Sequence, residues 1–122
     1  LYNHALMQLE KAKKLKPQDL NVLTNYITCL LGVAKINEDE YIFEKAKDIC
    51  ENVLNIEPNH VSNLENYAIS LCALAELKND INLAQKAIQY FEKTLKLKPE
   101  DQDLRYNYNE AISTLNNLDK KI

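Results

Sequence analysis

The chain has few of the residues that interrupt helices. Its 122 residues hold one glycine, three prolines and no tryptophan, too little turn-forming material for a protein of tight hairpins, so an all-helical fold is expected. Long apolar runs are missing as well. None approaches the ~18 residues that a membrane span needs, and no charged-then-apolar leader opens the sequence. The chain as given is expected to be soluble, with no direct membrane insertion. Blocks of like charge are also absent: the formal net charge is -3, and lysines alternate with acids throughout, which argues against nucleic acid as a partner. Gly32 is the one glycine, so a glycine-rich phosphate loop is excluded.

Sites of chemistry are equally sparse. Cys29, Cys50 and Cys72 are odd in number, lack CxxC spacing and sit inside apolar helical patterns. They read as small core hydrophobes in a reducing compartment, the cytoplasm or one like it, and not as a disulfide framework or zinc site. His4 and His60 have no second ligand or nucleophile at a spacing that would face them. No catalytic residue, metal or cofactor is expected, and the protein is not expected to be an enzyme.

What the chain does have is a repeat. It is 46% hydrophobic and 27% charged, and its length suffices to bury roughly two-thirds of the unfolded chain's surface in one domain without disulfide or metal. Pro17, Pro58 and Pro99 are spaced by 41 and 41. The same step pairs Ala5 with Ala46 and Ala87, Leu9 with Cys50 and Phe91, and Leu15 with Ile56 and Leu97. Beyond each proline it pairs Leu23 with Leu64, Asn25 with Asn66 and Asn107, Tyr26 with Tyr67 and Tyr108, and Leu30 with Leu71 and Ile112.

Each proline follows an apolar run at helical spacing and stops it. Between prolines the apolar positions form two groups, parted by polar segments at 36–40 and 78–80. Helices are therefore predicted near 3–15, 19–35, 40–55, 60–78, 81–97 and 101–118. Asp80 and Asp101 are plausible N-caps. The expected organisation is a single domain over 1–122: a lone second helix (1–17), two full repeats (18–58 and 59–99) and a capping helix (100–122). Because the chain opens in mid-repeat, it is expected to be a piece of a longer protein.

These residues resemble tetratricopeptide repeats. The second helix of that family carries a small residue, a bulky apolar one, a small one and a terminal proline, matched here by Ala46, Cys50, Val53, Pro58, by Ala87, Phe91, Thr94, Pro99, and by Ala5, Leu9, Ala12, Pro17. The large, leucine and aromatic pattern of the first helix appears as Leu23, Tyr26, Leu30 and Leu64, Tyr67, Leu71. The resemblance covers essentially the whole chain and implies an all-α right-handed superhelix of about six antiparallel helices. Two departures stand out. Ile27 occupies the place of the small residue that is Ala68 in the next copy, which predicts looser packing there. The period exceeds the usual ~34 residues, and the surplus falls between the paired helices, in longer helices or a longer loop, as in plant-type mitochondrial import receptors.

The resemblance also implies a concave groove lined by the first helices, with Asn25, Asn66 and Asn107 at the place of the family's peptide-binding asparagine ladder. An asparagine amide offers donors and an acceptor to any peptide backbone. Helical spacing adds Asn21, Thr24, Thr28 and Leu31, then Ser62, Glu65, Ile69 and Cys72, then Asp103, Tyr106, Glu110 and Ser113. Of these, Thr28, Glu65, Ile69 and Tyr106 are the preferred peptide contacts. The set is neutral to acidic, and Arg105 sits where the family normally packs, so clamping of a partner's C-terminal carboxylate is disfavoured. Tyr26, Tyr67 and Tyr108 read as core, with each hydroxyl reaching a partner at the edge.

The expected function is a protein-protein interaction module or scaffold holding a peptide segment of a partner protein in the groove. The alternative is an architectural spacer or permanent subunit contact through the open N-terminal end and the convex face. Leu6 and Leu9 of the first helix, lacking a preceding helix, are the expected contact with a missing segment or with a second copy in self-association.

Overall fold

A computed structural model describes residues 2–15 and 19–120. It contains α1 (Tyr2–Leu15), α2 (Leu20–Asn37), α3 (Glu40–Ile56), α4 (Val61–Lys78), α5 (Ile81–Leu97) and α6 (Gln102–Asp119), with no strand among the described residues. The fold is all-α. Pro17, the expected stop of the first helix, lies outside the described residues.

The helix starts are set by aspartates. Asp19 accepts from Asn21 N at 3.0 Å and Val22 N at 3.2 Å, Asp39 from Ile42 N at 3.2 Å, Asp80 from Leu83 N at 3.2 Å, and Asp101 from Leu104 N at 3.0 Å. Each carboxylate satisfies an amide that the first turn leaves unpaired and sets a negative charge at the positive end of the helix. Caps explain the small shift from the sequence expectation: residues 19, 60 and 101 precede α2, α4 and α6 and are not their first turns. His60 stands at the cap of α4 without a side-chain capping bond.

The paired helices end in the same way. Glu38 and Asn79 adopt left-handed backbone, φ 49° and 52°, and the amides of Asp39 and Asp80 return to Ala34 O and Ala75 O at 3.1 and 3.0 Å. Those bonds satisfy carbonyls left over by the last turn. The links to α3 and α5 are correspondingly short, Glu38–Asp39 and Asn79–Asp80. The surplus over the usual repeat length lies in the helices themselves, which run 18 residues in α2 and α4 and 17 in α3 and α5.

Each helix packs on the next in chain order, and α2 also meets α4 as α4 meets α6; among the described residues the backbones of α1 and α3, and of α3 and α5, do not approach closely, although the Lys45 side chain of α3 reaches Glu10 of α1 at 3.9 Å. The helices thus form two rows, an even row in mutual contact and an odd row laid against it. The main core lies between them, around Tyr26, Ile27, Leu30, Ala46, Cys50, Val53, Leu71 and Leu74. Ile27 is wholly buried in this cluster, so the looser packing expected around it is not found; a side chain of this size contributes about 1.5–3 kcal/mol on burial. Smaller clusters gather Ala68, Phe91, Leu104 and Ala111, and Ala75, Ala84 and Leu118.

The two end helices differ from their inner counterparts. On α6, Leu104, Ala111 and Leu118 are buried, whereas Arg105, Asn109 and Asn116 are exposed at the register positions where α4 buries Leu64, Ala68 and Ala75. On α1, Leu6 and Leu9 pack half-buried against the main core. Met7 and Leu15 are the apolar side chains that α1 exposes, at 59% and 83%. Among the described residues no helix is long and apolar enough to cross a membrane.

Candidate functional site

The even row carries the residues that the sequence nominated, but not as three equivalent rungs. Asn25 and Thr28 are exposed on α2, Asn66 is half-buried on α4, and Asn107 is half-buried on α6. The Asn25 side chain has no hydrogen bond to a described residue, whereas the Asn107 amide lies near enough to the carboxylate of Glu65 on α4 to favour its charged form. Thr28 Oγ1 donates to Thr24 O at 3.0 Å, within its own helix. Ile69 is half-buried and joins the main core to the second cluster. Tyr106 is exposed on α6. Leu31, a groove candidate by spacing, belongs instead to the main core: the row's helices approach closely enough to enclose it.

Glu65 is the electrostatic centre of this surface. Burial pushes its carboxyl above the ordinary range, and the nearby charges of Asp101 and Asp103 push the same way, against Lys98 and the Asn107 amide. A half-buried carboxylate in a mostly acidic setting is poorly compensated and favours a cation beside it.

Polar bonds tie the even row together. Asn63 Nδ2 donates to Thr24 Oγ1 at 2.8 Å between α4 and α2, Thr114 Oγ1 to Glu76 Oε1 at 2.7 Å between α6 and α4, and Cys72 Sγ approaches Thr114 Oγ1 at 3.8 Å. Asn63 is wholly buried and its Oδ1 has no partner. Its Nδ2 also lies 3.1 Å from His60 Nδ1, which occupies that histidine structurally. The three cysteines are free; burial pushes the Cys50 thiol up to about 12 and raises Cys72, so both stay protonated at neutral pH and behave as core atoms.

One constellation was overlooked in the sequence although its signal was present. Tyr26 Oη donates to Glu10 Oε1 at 3.2 Å, Tyr67 Oη to Glu51 Oε2 at 2.8 Å, and Tyr108 Oη to Glu92 Oε2 at 3.0 Å. Glu10, Glu51 and Glu92 keep the same step as the prolines and tyrosines. Lys45 Nζ lies 5.5 Å from the Tyr26 ring centroid and Lys86 Nζ 5.4 Å from that of Tyr67, again at matching positions. Tyr26 and Tyr67 thus link the odd helix before them, through glutamate, to the odd helix after them, through lysine, and Tyr108 keeps the glutamate half of the arrangement. The Tyr67 ring also meets Tyr90 edge-on at 4.7 Å.

Elsewhere Glu44 on α3 pairs with Lys78 on α4 and with Lys47 at 3.2 Å, which holds its carboxyl below the ordinary value. Among the described residues no group of three or more histidines, cysteines or acids is placed to hold a metal ion.

No protein-family model matches the sequence, and no curated protein matches it.

Proposed function

We propose that this chain is an interaction module of the tetratricopeptide type, which works by binding a peptide segment of a partner protein along the even row and not by catalysis. The observation that carries this reading is the lateral contact of α2, α4 and α6, which sets Asn25, Asn66 and Asn107 at one register position of successive helices. Asn25, Thr28 and Tyr106 are exposed along that row. Glu65 gives the row its preference: a peptide with a lysine or arginine at that point relieves the uncompensated carboxylate.

The test is selection from a random peptide library, followed by affinity measurement with the chosen peptides. Enrichment of lysine or arginine at one position is expected, and it should vanish in Glu65→Gln. Since each amide–backbone bond is worth about 0.5–1.5 kcal/mol net, changing Asn25 and Asn66 to alanine should weaken binding by roughly tenfold. Selected peptides that bind the double variant as tightly as the wild type would refute the groove reading.

A second reading, an architectural contact through the odd row, draws on Leu15, Ile56 and Leu97, which are exposed at matching ends of α1, α3 and α5. Replacing all three by serine would abolish such a contact and leave peptide selection unchanged.

A further inference from the structure

Where α1, α2 and α3 meet, Glu10, Lys13, Lys14, Tyr26 and Lys45 line an open cavity of about 350 Å³. This lies at the lower end of the range for small-ligand sites. Lys13 Nζ and Lys45 Nζ stand 5.0 and 5.5 Å from the centroid of the Tyr26 ring. Glu10 is the acid in the cavity, and it is already engaged, accepting from Tyr26 Oη at 3.2 Å and lying 3.9 Å from Lys45 Nζ. Among the described residues neither Lys13 nor Lys14 has an ion-pair partner. Three ammonium groups against one carboxylate leave two positive charges in excess, in a protein whose formal net charge is -3.

The chain contains its own control. The Glu–Tyr–Lys arrangement occurs again at Glu51, Tyr67 and Lys86, so those members of the cavity serve packing in both places. Lys13 and Lys14 are what differs: their register equivalents are Leu54 and Asn55, then Leu95 and Lys96. The preference of lysine for the last turn of a helix accounts for their place on α1 but not for their convergence with Lys45 from α3. The corresponding hollow beside Tyr108 keeps one of the three lysines, Lys96, and is lined otherwise by Glu92, Leu95, Pro99 and Arg105, whose guanidinium is already engaged, donating to Pro99 O at 3.1 Å. The excess charge is thus a property of the first copy.

We infer that this cavity binds a phosphate monoester, with Lys13, Lys14 and Lys45 as donors to its doubly charged oxygens and Tyr26 as its floor. Two excess ammonium charges match a dianion, and charge-assisted N–H bonds to phosphate are among the stronger hydrogen bonds. Recognition runs through side-chain ammoniums and needs no glycine-rich loop. Nothing in it depends on the groove, so the two readings stand or fall separately.

The experiment is a chemical-shift titration of the protein with inorganic phosphate, O-phosphoserine, a short phosphoserine peptide and acetate at constant ionic strength. Saturable shifts are expected around Tyr26 with the three phosphates and not with acetate. With the two phosphoserine ligands they should strengthen between pH 5.5 and 7.5, as the monoester passes its second pKa of about 6. Lys13→Leu with Lys14→Asn, which installs the side chains of the second copy, should weaken binding by about tenfold or more, and Lys86→Gln should leave it unchanged. Lys13→Gln with Lys14→Gln gives the same readout should the first pair disturb folding. A phosphopeptide that binds well above inorganic phosphate marks a modified polypeptide as the source of the group, and equal affinities mark a free phosphate compound. Absence of saturable shifts, equal response to acetate, or binding untouched by the lysine variants would overturn the assignment.

Discussion

Tyr67 shows how one side chain holds three helices at once. Its ring is 2% exposed, its hydroxyl donates to Glu51 on α3, and Lys86 of α5 lies over its face. A hydrogen bond to a charged acceptor contributes more than a neutral one, so Tyr67→Phe should destabilise the protein by about 1.5–3 kcal/mol, read from urea unfolding. The same contacts make a pH prediction. Burial, followed by the Glu51 bond, pushes the Tyr67 phenol well above its ordinary value of 10.0. The folded protein therefore keeps the proton when the unfolded chain loses it. The stability contributed is present below pH 10 and is lost as pH rises past that point. An unfolding series from pH 8 to 11 should fall more steeply in the wild type than in Tyr67→Phe. That the tyrosines would have bonded hydroxyls was legible from their recurrence, and Tyr26 and Tyr67 are core as expected, but Tyr108 on the end helix is only half-buried, because no further helix covers it among the described residues. Their glutamate partners were equally regular in the sequence, but a polar residue on a helix reads as solvated until the neighbouring helix is placed beside it.

Among elements, the helix starts were readable and the helix lengths were not. Asp80 and Asp101 were legible as caps because an aspartate before an apolar run has one dominant local use. The added length between paired helices was not divisible into helix and loop from the sequence, since polar residues at 36–40 fit either; the left-handed residue at 38 decided it. Glutamate is a poor choice there, because a Cβ in left-handed backbone is strained where glycine is not. Glu38→Gly should raise stability by roughly 0.5–1 kcal/mol in thermal unfolding, and Asn79→Gly by less, asparagine being better tolerated in that conformation. The groove residues were the least legible part. Helical spacing put Leu31 and Asn107 on the same footing as Asn25, and only lateral packing of the even helices separated a buried leucine and a half-buried amide from an exposed one.

At the scale of the molecule, α6 lies at one end of the even row, with Arg105, Asn109 and Asn116 exposed where the inner helix α4 is apolar and covered. Restoring the inner pattern with Arg105→Leu, Asn109→Ala and Asn116→Ala should expose a continuous apolar strip with Ile112 and Leu115. Sedimentation velocity should then show self-association that the parent protein does not form through this face. A monomeric triple variant would mean that these three side chains are not what keeps the face from associating.

The two rows also differ mechanically. Helices of the even row touch one another and are pinned by the bonds of Asn63 to Thr24 and Thr114 to Glu76, while the backbones of successive odd helices are held apart by the row between them and a side-chain pair such as Lys45–Glu10 bridges the gap. Bending then costs least when the odd row spreads and the even row acts as the spine, as the pages of a book part while the binding holds its length. The distance between Asn25 and Asn107 changes little in that motion, so a ligand lying along the spine would meet a ruler of fixed pitch, whereas the outer edge with Leu15, Ile56 and Leu97 would stretch and close like a bellows.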